Sequence, residues 1–243
     1  MGKIWPINKT LKILSVTIAG KGGDSKSAVE IRTTVVAPDK ETAFGLGRRK
    51  IGDAINFLHI ASEGEIKISP LTDARVREIG SKIKTGFATA TSRAYIEAPP
   101  EPLNEKMFST LSKAGQEINS LGKEEIGSLI TGLRWWEKGV REENAIDRFL
   151  AYWIALEVLV EGQGDALVKK VTNQLISITP KVVRMTLKKK IGQIYGVRGK
   201  IVHYGVMEPE KLAENTELLK KVLESLIRHK MGLTSYTVQK IFR

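Results

Sequence analysis

The sequence predicts an α+β protein, in which a small mixed α/β module is followed by an all-α helical bundle. Three observations support this prediction. Two early segments are rich in β-branched residues, a proline cluster divides the chain, and the segments beyond it carry apolar residues at helical spacing. We expect residues 1–98 to form the mixed module, residues 104–243 to form the bundle, and residues 97–103 to link them.

The mixed module is predicted to open with two strands. Leu11–Ala19 and Ala28–Val36 are separated by a glycine-rich segment, so we expect them to form a hairpin or to be neighbours in one sheet. The remaining predicted elements are a helix that begins at Pro38-Asp39 and two strands, Glu65–Ile68 and Phe87–Ile96.

The rest of the chain is predicted to be helical. Pro180 and Pro209 each precede a helix, since proline is favoured in the first helical turn. Five or six helices with short connections imply a bundle. The predicted helices are Asn104–Leu121, Lys123–Lys138, Glu143–Val160, Gln163–Ile178, Lys181–Tyr195 and one after Pro209.

Composition excludes several classes of function. The chain has no cysteine, which rules out disulfides, thiolate catalysis and thiolate metal sites. No cluster of His, Asp and Glu has metal-ligand spacing, so we expect neither a metal nor a cofactor. The most apolar run, Phe149–Val160, is too short to span a bilayer, and no signal peptide is evident. We therefore expect a cytoplasmic protein with no membrane partner.

Positive charge is concentrated in one segment. The formal net charge is +12, and residues 166–207 contain no Asp or Glu. Such a segment is typical of a protein that binds RNA or another polyphosphate, although a solvated helix face in a basic protein has the same pattern. The cations are Lys169, Lys170, Lys181, Arg184, Lys188, Lys189, Lys190, Arg198 and Lys200, of which Arg184, Lys188, Lys189, Lys190 and Lys200 are the predicted nucleic-acid-binding residues.

Arg198 and His203 lie five positions apart at the end of this basic segment. A phosphodiester under attack needs a donor for its phosphoryl oxygens and a group that moves a proton. An arginine and a histidine supply these two functions, so the pair is a candidate catalytic site. In the alternative reading, Arg198 pairs with Glu157 or Asp147, and His203 is satisfied inside the bundle.

Helical geometry sets a condition on this pair. On an ideal helix the two side chains point about 140° apart. They converge on one phosphate only if the helix is interrupted near Gly196 or Gly199, or if a second chain supplies one of them. Glu157 lies in an apolar stretch and is expected to have a cationic partner, for which Arg198 is the predicted candidate.

Two segments resemble the Apea-like HEPN domain family. Asp147–Glu157, with the sequence DRFLAYWIALE, resembles a helix of that family. Tyr195–His203, with the sequence YGVRGKIVH, resembles its Arg-x4-6-His signature. The resemblance covers about residues 104–230. At Gly199 the chain departs from the family, which often has a polar residue immediately after the arginine.

The resemblance implies a helical bundle that forms a homodimer, with two Arg–His motifs at one cleft. Active members are metal-independent endoribonucleases, often in toxin–antitoxin or defence systems, which adds an antitoxin-type protein as a possible partner. Carried onto this chain, His203 would transfer protons and Arg198 would hold the phosphate, with Glu157, Asp147 and Tyr195 in supporting positions. The alternative is a non-catalytic HEPN bundle that binds RNA, a nucleotide or a partner protein.

Overall fold

The fold is α+β, as predicted, with a sheet and helices in the first part of the chain and, among the described residues, helices alone in the second. The chain forms two compact units, Met1–Ser120 and Leu121–Arg243, and each is described by itself. The computed structural model describes residues 9–21, 28–63, 67–68, 73–78, 87–97, 105–161, 164–176, 179, 181, 184–205 and 207–233.

The first unit is built on an antiparallel six-stranded sheet. The central strand β6 pairs with β3 on one side and with β5 and β4 on the other, while β2 and β1 extend the sheet beyond β3. The strands are β1 (Thr10–Ile13), β2 (Val16–Lys21), β3 (Ala28–Val36), β4 (Lys67–Ile68), β5 (Asp73–Glu78) and β6 (Phe87–Glu97).

The first predicted strand is in fact two strands joined by a tight turn. The predicted pairing of this region with the Ala28–Val36 strand is confirmed, because β2 lies antiparallel to β3. However, Leu14 and Ser15 reverse the chain between β1 and β2, with φ values of 56° and 67°. Two-residue hairpin turns of this kind usually contain Gly, Asn or Asp. Since neither residue is of that type, the sequence did not indicate the turn.

Two helices belong to this unit. Helix α1 (Lys40–Ala61) begins at the predicted position, where the Asp39 carboxylate accepts a 2.7 Å hydrogen bond from the Thr42 backbone N–H. That bond is the main reason why the pKa of Asp39 is lowered. Ala43, Ile51 and Phe57 lie on its buried side.

Helix α2 (Glu105–Ser120) packs on β1, whereas the sequence assigned it to the bundle. The Leu14 backbone N–H donates to Asn119 Oδ1 at 3.2 Å, and Lys9 Nζ lies 3.0 Å from Glu105 Oε1. Gly115 comes so close to the strand that an added Cβ would lie 2.7 Å from the Lys12 carbonyl oxygen. The boundary between the units therefore follows α2. Of the predicted linker, only Glu97 lies within the described residues.

The second unit is a helical bundle, as predicted. Helices α3 and α4 run antiparallel in close contact, because glycines on α3 admit side chains of α4. An added Cβ at Gly132 would lie 2.7 Å from Leu159 Cγ, and one at Gly139 would lie 2.5 Å from Tyr152 Cε1. The helices are α3 (Lys123–Arg141), α4 (Ala145–Val160), α5 (Gly164–Ile176), α6 (Arg184–Tyr204) and α7 (Pro209–Lys230).

Helix α6 is longer than the sequence predicted. It was expected to end near Tyr195, but it continues through Gly196 and Gly199 to Tyr204. Its apolar face continues as well, through the buried residues Val197 and Ile201. None of the described helices is long and apolar enough to cross a membrane.

We expect Gly139→Ala to lower the free energy of unfolding by about 1–2 kcal/mol. The added methyl group would meet the Tyr152 ring, and overpacking of this kind outweighs the helix propensity that alanine adds. Gly127→Ala is the matched control on the same helix, because no atom lies within 4 Å of its added Cβ. It should raise the free energy of unfolding by up to about 1 kcal/mol. Urea denaturation of both variants measures the difference, and equal effects would contradict the close packing.

Candidate functional site

The candidate site is built on α6. The buried face of this helix is formed by Leu187, Ile191, Ile194, Val197 and Ile201, which hold it against the rest of the bundle. The helix contains six Lys and Arg residues and no Asp or Glu. Its remaining faces therefore present positive charge without acidic residues of the same helix to neutralise it.

Arg198 and His203 both lie on α6, and neither forms a hydrogen bond or ion pair with another described side chain. Arg198 is partly buried and His203 is exposed. Neither makes a hydrogen bond or ion pair with any residue that the structure describes. The structural alternative, in which Arg198 pairs with Glu157 or Asp147 and His203 is satisfied inside the bundle, is therefore not found among these residues.

The two side chains are nevertheless not brought together within one chain. The interruption considered at Gly196 or Gly199 is absent, because α6 is continuous from Arg184 to Tyr204. Arg198 and His203 consequently point about 140° apart. His203 faces almost directly away from the buried side of α6. Arg198 lies at the edge of that buried side.

Glu157 has a different partner from the one predicted. Its carboxylate accepts a 2.8 Å hydrogen bond from Trp153 Nε1, one turn earlier on α4. The Trp153 ring in turn lies 6.0 Å from the Tyr195 ring of α6, centroid to centroid. Glu157 and Tyr195 are thus connected through Trp153 and not through Arg198. Asp147 is exposed in the first turn of α4, where its backbone N–H is capped by Asn144 Oδ1 at 3.1 Å.

The predicted nucleic-acid-binding cations are only partly available. Lys188, Lys189 and Lys200 are exposed, whereas Lys190 is partly buried. Arg184 is also partly buried, and its Nε donates to the Thr179 carbonyl oxygen at 3.1 Å. Three of the five predicted residues therefore present their charge to solvent.

One acidic residue lies near the end of this basic helix. Glu208, which precedes α7, accepts a 3.0 Å hydrogen bond from Lys211 Nζ. This bond and the charge of Lys211 are the main causes of its lowered pKa, and Lys200 lowers the pKa further. Glu208 is thus partly neutralised by Lys211, which is not one of the α6 cations.

A strip of three glycines, which we call the glycine strip, runs along the outer face of α6. Gly192, Gly196 and Gly199 lie on the same side of the helix as His203. No atom outside the local backbone lies within 4 Å of a Cβ added at any of the three glycines. The helix backbone is therefore open to close approach beside the histidine.

An exposed aromatic residue that the sequence did not single out lies at this site. Tyr204 is 77% exposed, and its ring lies 6.4 Å from the His203 ring, centroid to centroid. An exposed tyrosine can stack on an unpaired base. Because the helix was predicted to end at Tyr195, the sequence did not indicate that Tyr204 is part of the same helix as His203 and exposed beside it.

The other two histidines lie within helices. His59 is part of α1 and His229 is part of α7. Burial is the main cause of the lowered pKa of His229, and Lys230 adds to it, so the neutral imidazole is favoured. Of the three histidines, His203 is the exposed one, so it remains the candidate for proton transfer.

Comparisons with known proteins do not assign the chain. No protein family, no characterised protein and no solved structure matches it. Across the part of the chain that the structure describes, no group of three or more His, Asp and Glu residues could hold a metal ion.

Proposed function

We propose that the helical unit is a HEPN-type, metal-independent endoribonuclease that acts on single-stranded RNA as a homodimer. One observation carries this proposal. Arg198, which has no hydrogen-bond or ion-pair partner among the described residues, and the exposed His203 share a helix that has no acidic residue. An arginine that is buried for a structural reason is usually paired, whereas the partly buried Arg198 and the exposed His203 remain available to a substrate.

The reaction follows from the two side chains. His203 takes the proton from a ribose 2′-hydroxyl while its oxygen attacks the adjacent phosphorus. Arg198 donates hydrogen bonds to the nonbridging oxygens, where negative charge increases in the transition state. The bond to the 5′-oxygen breaks, and that oxygen takes a proton. The products are a 2′,3′-cyclic phosphate and a 5′-hydroxyl end, and DNA is not cleaved because it lacks the nucleophile.

A second chain is needed to assemble this site. Around the axis of α6, Arg198 lies about 100° to one side of Gly199 and His203 about 40° to the other. Two α6 helices that cross at Gly199 would bring Arg198 of one chain toward His203 of the partner subunit. Open space at Gly199 supports this crossing, since a larger side chain would separate the two backbones. Under this proposal, glycine has a role at the position where the family often has a polar residue.

The outer face of α6 supports binding of the RNA strand. Lys188, Lys189 and Lys200 are exposed and can contact phosphates. The glycine strip allows the strand to approach the helix backbone, and Tyr204 offers a stacking surface for one base. A toxin or defence role in the cytoplasm, with an antitoxin-type protein partner, is what the family resemblance adds to this proposal.

We expect the protein to cleave single-stranded RNA in the presence of EDTA. His203→Ala and Arg198→Ala should each reduce the rate about 100-fold or more, because one removes the proton acceptor and the other the phosphate contact. Gln193→Ala is the matched control, since it changes an exposed neutral residue of the same helix. Gel analysis of labelled RNA measures cleavage, and a rate unaffected by either substitution would disprove the assignment.

A mixture of the two inactive variants tests the composite site. In a mixed dimer, Arg198 of the His203→Ala chain meets His203 of the Arg198→Ala chain, and one intact site is restored. After free exchange of subunits, we expect about a quarter of the parental activity. If both residues act from the same chain, the mixture should remain as inactive as its components.

The second candidate function is binding of RNA without cleavage. The observation that favours it is the separation of Arg198 and His203 within one chain, which leaves a single subunit without a complete site. RNA binding measured in EDTA with no product formed, together with a protein that stays monomeric when RNA is bound, would support this candidate over the ribonuclease.

We expect RNA affinity to depend on the exposed lysines of α6 under either candidate. Substitution of Lys188, Lys189 and Lys200 by alanine should weaken binding and reduce the slope of log affinity against log salt by about 2. The charge-matched control replaces Lys106, Lys113 and Lys123, which are exposed on α2 and α3. Fluorescence anisotropy with labelled RNA measures both slopes. Equal losses in the two triple variants would contradict a binding surface on α6.

A further inference from the structure

A cavity lies within the helical unit, between α4 and α7. Its volume is about 330 Å³, which is at the lower end of the range for small-molecule sites. One wall is a stripe of α4, the other is a stripe of α7, and Val140 at the end of α3 completes the lining. The lining residues of α4 are Ala145, Arg148 and Tyr152, and those of α7 are Ala213, Thr216, Glu217 and Lys220.

Arg148 is held in place on the wall of this cavity. Its Nε and Nη2 both donate to the Glu142 carbonyl oxygen, at 2.8 and 2.6 Å. That carbonyl belongs to the C-terminal cap of α3. A guanidinium has five N–H groups, so three remain for another acceptor. The arginine is thus fixed before any ligand arrives, which reduces the entropy that binding must overcome.

Tyr152 presents an unused hydroxyl to the same cavity. The residue is only 3% exposed, and its ring packs against Gly139 of α3. Its hydroxyl makes no hydrogen bond with any residue in the described part of the chain. Among the described residues, the fully buried side-chain atom without a hydrogen-bond partner is His229 Nδ1, so the Tyr152 hydroxyl reaches the open space of the cavity. An acceptor bound inside the cavity can therefore accept a hydrogen bond from it.

The surroundings of Tyr152 keep it a hydrogen-bond donor. Burial and the nearby Glu224 raise its pKa to about 12, although Arg148 acts in the opposite direction. The hydroxyl therefore keeps its proton at neutral pH. Glu224 accepts a 3.2 Å hydrogen bond from Trp136 Nε1, and burial raises its pKa.

We propose that this cavity binds a small organic anion, whose carboxylate or phosphate group accepts hydrogen bonds from Tyr152, Arg148 and Lys220. The lining contains two cations, a neutral donor and one acidic residue, Glu217, which is exposed and can turn toward solvent. Lys220 Nζ also lies 4.0 Å from Glu224 Oε1, a distance at which the lysine can still donate to a ligand. Apolar contact with Ala145 and Ala213 suits the carbon part of such a ligand. The volume limits it to roughly the size of a mononucleotide.

Titration calorimetry with adenosine 5′-monophosphate and with glutarate tests the site. We expect at least one of these anions to bind the full chain, and the pattern identifies the preferred anionic group. Tyr152→Phe should weaken binding about ten-fold or more, because a hydrogen bond to a charged group is lost. Its melting temperature without ligand should be equal or higher, since the hydroxyl makes no hydrogen bond with a described residue. A structural role alone would instead lower the melting temperature and leave affinity unchanged.

Two further variants separate this site from the ribonuclease site. Lys220→Met should weaken anion binding, whereas His203→Ala and Tyr204→Phe should leave it unchanged. Failure of RNA cleavage therefore does not affect the result, and failure of anion binding does not affect the ribonuclease proposal. The inference is overturned if neither anion binds at millimolar concentration, or if Tyr152→Phe binds as tightly as the parent protein.

Discussion

The buried apolar face of α6 determines what the candidate site can do. Ile194, Val197 and Ile201 follow one another at helical spacing and hold the helix in register through Gly196 and Gly199. Glycine in a helix costs about 1 kcal/mol relative to alanine, but burial of a large aliphatic side chain contributes more than that. The helix therefore stays continuous. Its continuity turns His203 toward solvent and separates it from Arg198, so one chain alone does not form a catalytic pair.

Helix α4 supports both proposed sites through neighbouring residues. Tyr152 faces the cavity at α7 and packs against Gly139, while Trp153 contacts Tyr195 of α6. Successive side chains on a helix point about 100° apart, so one element can serve two neighbours. The close α3–α4 contact fixes the rotation of α4 and hence the direction of both aromatic rings. The aromatic residues of α4 therefore serve both the packing of the bundle and the geometry of the two proposed sites.

The sequence predicted those elements whose signals are local. Asp39 marked the start of α1, and apolar spacing located the helices of the bundle. It failed where long-range contacts decide. The Leu14–Ser15 turn lacks the usual turn residues, yet it joins β1 and β2, which pair with each other. The strand β5 is a charged segment whose pairing with β6 has no local signal. A cationic partner was predicted for Glu157, but its hydrogen-bond donor is the neutral indole N–H of Trp153, one turn away on the same helix. The α4–α7 cavity joins residues over 60 positions apart, so no spacing rule indicates it.

The open space at the glycines of α6 favours a homodimer, whereas the positive charge of the helix opposes one. The glycine strip allows two helices to approach closely, but each helix carries six cations and no acidic residue. Two such surfaces repel one another, and the repulsion is greatest at low salt. A polyanion between them removes this repulsion and binds both. RNA binding and dimer formation are then linked, since a ligand that prefers the dimer must stabilise it. On this reasoning the substrate itself completes the composite site, and the free protein need not be a stable dimer for Arg198 and His203 to act together.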